Sequence, residues 1–111
     1  MIRLRGRSDF KRVRRTGKSW AHPLIVLLAS SNQLAHTRIG FVASKSVGGA
    51  VQRNRAKRRL RAELRAQITW LSPGWDLVFI ARRPILDCRV MALSAAVTEL
   101  LERAGLLRGE Q

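Results

Sequence analysis

Acidic residues are scarce in this chain. Seven Asp and Glu stand against 22 Lys and Arg in 111 residues, a formal net charge of +15. Solubility alone calls for much less, so the partner must be acidic. The few carboxylates include no close pair suited to acid–base work, which argues against an active site in the polypeptide itself. Cysteine is nearly absent. Cys88 stands alone, so no intramolecular disulfide forms and nothing marks an oxidising compartment. Together with His22 and His36 it has no metal-ligand spacing, and a structural zinc site is not expected. Long hydrophobic runs are missing too. The apolar segments are about six residues long or belong to a helix of mixed polarity, too short to span or anchor in a membrane. The opening Met1-Ile2-Arg3-Leu4-Arg5-Gly6 is basic and lacks the apolar stretch of a signal peptide, so the cytoplasm is the expected location. With no internal repeat and no low-complexity linker, the length fits one domain with one core.

What is abundant is arginine. Eighteen of the 22 cations are Arg and four are Lys, and the planar Arg fork grips phosphate oxygens with two hydrogen bonds at once. Nucleic acid is therefore the leading partner, and an anionic membrane surface is the competitor that the short apolar runs disfavour.

Hydropathy patterning predicts an α+β domain in the order helix, strand, strand, helix, strand, helix. Ser8 is placed to cap a helix from Asp9 to about Thr16, stopped at Gly17 and carrying Phe10 and Val13 on one face. The run 24–29 reads as a buried strand, with Pro23 suggesting an edge or a bend. A second run, 39–43, follows closely enough to predict an antiparallel pair with the first. Val47-Gly48-Gly49-Ala50 breaks all periodicity and allows positive φ and a close approach of backbone to ligand, but it lacks the Lys-Ser/Thr of a P-loop. A helix over about 51–68 follows, then a turn at Ser72-Pro73-Gly74. After these come a central strand over 77–81 and an amphipathic helix from Val90 to Ala104 stopped by Gly105. The residues beyond Gly105 are expected to fray.

The middle helix carries the most information. At 100° per residue, Ala56, Leu60 and Leu64 form a narrow packing stripe. Asn54, Arg58, Arg61 and Arg65 fall within about 60° of one another, centred about 130° from that stripe. Arg55 and Lys57 flank this face on either side, and Arg59 and Glu63 share a separate flank where a weak i, i+4 pair is expected. Faces that merely solvate a helix mix signs, whereas this one has no acid, and its unrelieved repulsion implies a polyanion. Asn54 either caps a helix starting there or uses its amide to order Arg53 and Arg55 or to bond a base or ribose.

The segment Gly40-Phe41-Val42-Ala43-Ser44-Lys45, then Val47-Gly48-Gly49-Ala50-Val51-Gln52, then Arg53-Asn54-Arg55-Ala56-Lys57-Arg58 resembles the signature of the bacterial ribonuclease P protein family. Phe10, Val13 and Gly17 add the family's F-x-x-V-x-x-x-G arrangement, and Asp76-Leu77-Val78-Phe79-Ile80-Ala81-Arg82 is similar to its fourth strand. The likeness runs from about Ser8 to Leu107. It implies a single ribonuclease P protein domain over 1–111, with an ordered core of about 8–107. It also implies a single-domain α/β sandwich whose four-stranded mixed sheet contains a left-handed βαβ crossover through the basic helix.

The function the resemblance implies is that of the protein subunit of a ribonucleoprotein endonuclease, a hydrolase. Its catalytic RNA, with Mg²⁺ held mainly by that RNA, removes the 5′ leader of precursor tRNA. The RNA-contacting residues would be Lys45, Arg53, Asn54, Arg55, Lys57, Arg58, Arg61 and Arg65, and Phe10 and Arg14 would line a cleft for the single-stranded leader. No obligate protein partner and no membrane are implied. Ser46 stands where the family commonly has a second lysine, and Arg14, and by the same reading Leu28, replace cleft aromatics, so base stacking rests on Phe10. Phe10 is read equally as a core residue. Phe41 and Phe79 are read as core, while Trp70 and Trp75 are left open between core and surface. A structural ribosomal protein, a duplex-DNA-binding module and a self-sufficient nuclease are the competing readings.

Overall fold

The computed structural model describes residues 2–4 and 6–107. Among them five strands and three helices follow in the order β1 (Ile2–Arg3), α1 (Gly6–Thr16), β2 (Lys18–Ala21), β3 (Ile25–Ser31), β4 (Arg38–Ala43), α2 (Ala50–Gln67), β5 (Trp75–Ala81) and α3 (Val90–Arg103). The strands form one mixed sheet in the order β1-β4-β5-β3-β2. β4 and β5 are parallel neighbours joined through α2, and β5 is antiparallel to β3. β5 holds the centre because its run is apolar on both sides: Leu77 and Phe79 face one core, Val78 the other, and all three are buried.

The expected antiparallel pairing of 24–29 with 39–43 does not occur. The two strands do run in opposite senses, but β5 lies between them. A direct β3–β4 hairpin would leave the doubly apolar β5 at an edge, with one row of backbone groups unpaired; the central position satisfies both rows. Pro23 accordingly marks a bend before β3 and no edge, since β3 is flanked by β5 and β2. The sheet has five strands where the resemblance implies four. β1 is two residues long and β2 is the polar Lys-Ser-Trp-Ala, so neither carries a hydropathy signal. α1 starts at Gly6, which puts Ser8 inside its first turn instead of capping it. α3 ends as its pattern predicts. Gly105 has φ of +70°, and Leu106 and Gly105 donate back to the carbonyls of Leu101 and Glu102, a Schellman closure. The fraying expected beyond Gly105 does not begin there: Leu106 is buried and accepts from Ser72, and Leu107 pairs with Leu71, while the residues from Arg108 onward lie outside those described.

Two cores flank the sheet. The larger joins Ile25, Leu27, Ile39, Leu77 and Phe79 to Leu60 and Leu64 of α2 and Leu93 and Leu100 of α3. The smaller lies under α1, where Val13 meets Leu4, Leu28 and Val78, with Phe10, Val26, Val42 and Ile80 at its margin.

A single carboxylate pins α1 to the sheet. Asp76, at the start of β5, is fully buried. Arg38 of β4 donates to it from Nε at 2.9 Å and Nη2 at 2.7 Å, Asn32 donates from Nδ2 at 2.9 Å, and Arg12 of α1 donates from Nη2. Burial by itself raises the Asp76 pKa, but the hydrogen bonds from Arg38, Asn32 and Arg12 outweigh it and hold the carboxyl at about 2, below its ordinary 3.8.

A depressed carboxyl pKa stabilises the fold fully above the unfolded value, and the contribution is lost as pH falls through the folded value. The expected loss from this group between neutrality and pH 2 or below is about 2 kcal/mol. Asp76→Ala strands Arg38 and Arg12 without their counter-charge, and urea denaturation at pH 7 is expected to show about 3 kcal/mol of lost stability. A loss under about 1 kcal/mol would show that the ion cluster does not hold α1.

Candidate RNA interface

α2 separates packing from charge as its periodicity predicts. Ala56, Leu60 and Leu64 are buried, Asn54, Arg58 and Arg65 are exposed, and Arg61 is half-buried. The helix starts at Ala50 with Gly49 at its N-cap, so Asn54 lies in the second turn and the capping alternative falls. Its exposed amide has no hydrogen bond within the described residues. Arg53 and Arg55 do not share the cationic face. Arg53 lies about 20° from the centre of the packing stripe and is half-buried in the first turn, whereas Arg55 is exposed about 90° round from the face. Lys57 is half-buried between stripe and face.

Arg61 is the most constrained member. Its guanidinium lies 5.5 Å over the ring of Phe41, which stacks in turn on the buried Phe79 with centroids 6.1 Å apart. Phe79 has the core role expected of it, whereas Phe41 is half-buried at the margin of that core. The Arg61 Nε is buried with no hydrogen-bond partner among the described residues. Burial, then the charges of Arg3, Arg65 and Arg58, push the Arg61 pKa below its ordinary value. An anion placed here satisfies the donor and relieves the repulsion together. Arg59 is different. It donates to the carbonyl of Ile85 and, at 2.6 Å, to that of Cys88, tying α2 to the turn before α3. The expected Arg59–Glu63 pair is therefore not formed. An exposed ion pair contributes little, while half-buried carbonyls need donors.

The cationic face reaches α1 around the sheet edge. Among the described residues β1 pairs with Arg38 and Ile39 at this edge of β4. There a cavity of about 140 Å³ is lined by Arg3, Lys57 and Arg61 together with Phe10, Gly40 and Phe41. The Phe10 ring rests on Gly40: a Cβ at that glycine would stand 2.4 Å from Phe10 Cε1. Phe10 thus packs at the margin of the smaller core and still lines the cavity. Arg14 is exposed one turn further along α1, and Leu28 is buried beneath the helix.

Beside α1 the sheet face stays open as a groove of about 530 Å³. Val26 and Ile80 lie along it with Ser44 and Ser46, and Arg82 and Arg83 complete its lining. Lys45 is exposed between the two serines. Arg3, Arg82 and Arg83 are cations that sequence reasoning leaves out. Arg82-Arg83-Pro84 reads only as the end of a strand until the fold turns it towards the groove. Trp70 is exposed and Trp75 half-buried. Among the described residues no group of three His, Cys, Asp or Glu is placed to hold a metal ion, and no helix is long and apolar enough to cross a membrane.

An α+β domain that carries an acid-free arginine face on one helix, continued to an aromatic on another, has the surface by which nucleic-acid-binding proteins are recognised. The model of the Ribonuclease P family matches residues 1–105. A ribonuclease P protein component from Roseiflexus castenholzii is 44% identical over 108 residues, covering 96% of this chain and 88% of the relative. One from Dehalococcoides mccartyi is 44% identical over 105 residues, covering 95% and 86%. The solved Staphylococcus aureus ribonuclease P protein superposes with a TM-score of 0.85 at 28% identity, covering 97% of this chain and 99% of that one. The Thermotoga maritima protein gives 0.83 at 29%, covering 93% and 97%. The chain belongs to the ribonuclease P protein family.

Arg58→Ala or Arg61→Ala is expected to weaken binding to structured RNA and to reduce the log–log salt slope by about one for each phosphate left without its cation. Arg59→Ala is expected to lower stability and leave the slope unchanged. Filter binding across a salt series reads both, and a slope unchanged in Arg58→Ala and Arg61→Ala would remove phosphate binding from this face.

Proposed function

We propose that this chain acts as the protein subunit of ribonuclease P by holding two RNAs at once. The α2 face clamps the catalytic RNA, and the region around Phe10 receives the 5′ leader of precursor tRNA. The single observation behind this reading is the junction at the β4 edge, where Lys57 and Arg61 of α2 meet Phe10 of α1 in one cavity. A strand passing that edge meets cations for its phosphates and an aromatic for a base, the combination that suits unpaired RNA.

The polypeptide's contribution is binding and positioning. Lys45, Arg53, Asn54, Arg55, Lys57, Arg58, Arg61 and Arg65 supply donors for RNA oxygens, with Arg58 and Arg65 exposed beside the half-buried Arg61 and Arg53 confined to the first turn. Phe10 and Arg14 hold the leader beside them. Hydrolysis belongs to the RNA subunit. The donors needed for Mg²⁺ are not gathered among the described residues: the one fully buried carboxylate there, Asp76, is committed to Arg38, Asn32 and Arg12. As the family likeness implies, the Mg²⁺ is assigned to the RNA subunit and the site of action to the cytoplasm.

Cleavage assays test this directly. With catalytic RNA at low Mg²⁺, the purified protein is expected to stimulate cleavage of precursor tRNA at the mature 5′ end, and absence of stimulation would sink the reading in favour of a structural RNA-binding role. Phe10→Ala is expected to lower affinity for leader-bearing precursor by about tenfold, the stacking of one base, while mature tRNA is unaffected. Equal losses for both substrates would leave Phe10 with its packing role alone.

A further inference from the structure

A second site lies at the other end of α1, away from the β4 edge. The register pairs Trp20 with Leu27 and Trp75 with Ser31, so both indoles stand on the sheet face that carries α3. Both are half-buried and pack against the larger core, yet both also line a cavity of about 220 Å³ that Thr16, Lys18 and Ser31 share. Neither indole Nε1 nor the Ser31 hydroxyl has a hydrogen bond within the described residues. The volume is below that of sites for drug-sized ligands and suits one ring system.

α1 packs on the opposite face of the sheet, reaches this cavity at Thr16, and carries a second acid-free stripe. The inner side of α1 carries Val13 and Arg12, the latter bonded to Asp76 and to Asp9. Its exposed side carries Arg7, Lys11, Arg14 and Arg15, which fall within about 100° of one another, and Lys18 follows at the cavity. Arg7, Lys11 and Arg15 repeat at i, i+4, so like charges stack along the ridge as they do on α2. A row of cations beside a cavity with two aromatics in its lining is an arrangement that binds unpaired nucleic acid, phosphates along the row and a base against a ring.

We infer that the Trp20–Trp75 cavity is a second RNA-binding site, which takes one base of a single-stranded RNA whose phosphates lie along the outer ridge of α1. It is separate from the Phe10 junction and does not depend on the identity of the RNA that α2 holds. The aromatic π-faces accept any base, and the Ser31 hydroxyl and the indole N–H groups supply polar partners.

Tryptophan fluorescence locates the site. In a Trp70→Phe background only Trp20 and Trp75 report, and titration with a short fluorescently labelled oligoadenylate, without catalytic RNA, is expected to quench them in step with the rise in probe anisotropy. Arg15→Gln with Lys18→Gln, both exposed and both relieving repulsion, is expected to abolish the quench or shift its midpoint about tenfold. Arg58→Ala with Arg61→Ala is expected to leave the quench in place. Oligoadenylate binding without quenching would overturn the inference. So would a quench that survives the Arg15/Lys18 variant or disappears in the Arg58/Arg61 variant. Failure here with intact stimulation of precursor cleavage would remove this site and leave the proposed function standing.

Discussion

Asp76 has its carboxylate wholly out of water, and a charge so placed is tolerated only when it is paired and hydrogen-bonded. Its partners come from three separate parts of the chain: Arg38 from the neighbouring strand, Asn32 from the loop after β3, and Arg12 from α1. The cluster therefore does more than neutralise a charge. It fixes where α1 lies on the sheet, and with it the position of Phe10 over Gly40. That packing brings Phe10 to a cavity at the edge of β4, where Lys57 and Arg61 meet it. The junction between the two helices exists because a buried ion cluster on the far side of α1 sets the helix's rotation.

The arginines divide by what their guanidinium groups already hold. Arg12 and Arg38 serve Asp76, Arg59 holds the carbonyls of Ile85 and Cys88, and Arg103 donates to the carbonyl of Ala21. These close the fold. Arg58 and Arg65 are exposed, and Arg61 lies over Phe41 at the edge of the core with a buried Nε that has no acceptor among the described residues. A helix of this composition is electrostatically unfavourable by itself, since it has no acid in its first turn and like charges along one face. The large core beneath it, with Leu60 and Leu64 fully buried, holds the repelling charges in place until a polyanion arrives.

Much of this is legible in the sequence because it depends on periodicity. The stripe Ala56, Leu60, Leu64, the face Asn54, Arg58, Arg61, Arg65 and the Gly105 stop are local features, and the family's motif supplies the partner. What escapes depends on pairing at a distance. Strand order is hidden because hydropathy marks β5 as buried on both faces without saying which strands flank it. The polar β2 and the two-residue β1 form only because neighbours offer them backbone partners. Asp76 reads as the first residue of an apolar run, and nothing local announces that Arg12, 64 positions earlier, will bond it. Periodicity puts Arg59 on a separate flank from Arg58, but it names Glu63 as its partner and not the carbonyls of Ile85 and Cys88. Only the turn at Arg83–Leu86 makes one structural and leaves the other exposed.

Nuclear magnetic resonance of the guanidinium Nε–H groups reads this division of the arginines residue by residue. On titration with a fragment of catalytic RNA, the resonances of Arg58, Arg61 and Arg65 should shift together, and Arg61 Nε should gain protection from exchange as it finds an acceptor. Those of Arg12, Arg38 and Arg59 should remain where they are in the isolated protein. Shifts centred on Arg12, Arg38 and Arg59, with the α2 face unmoved, would contradict the account.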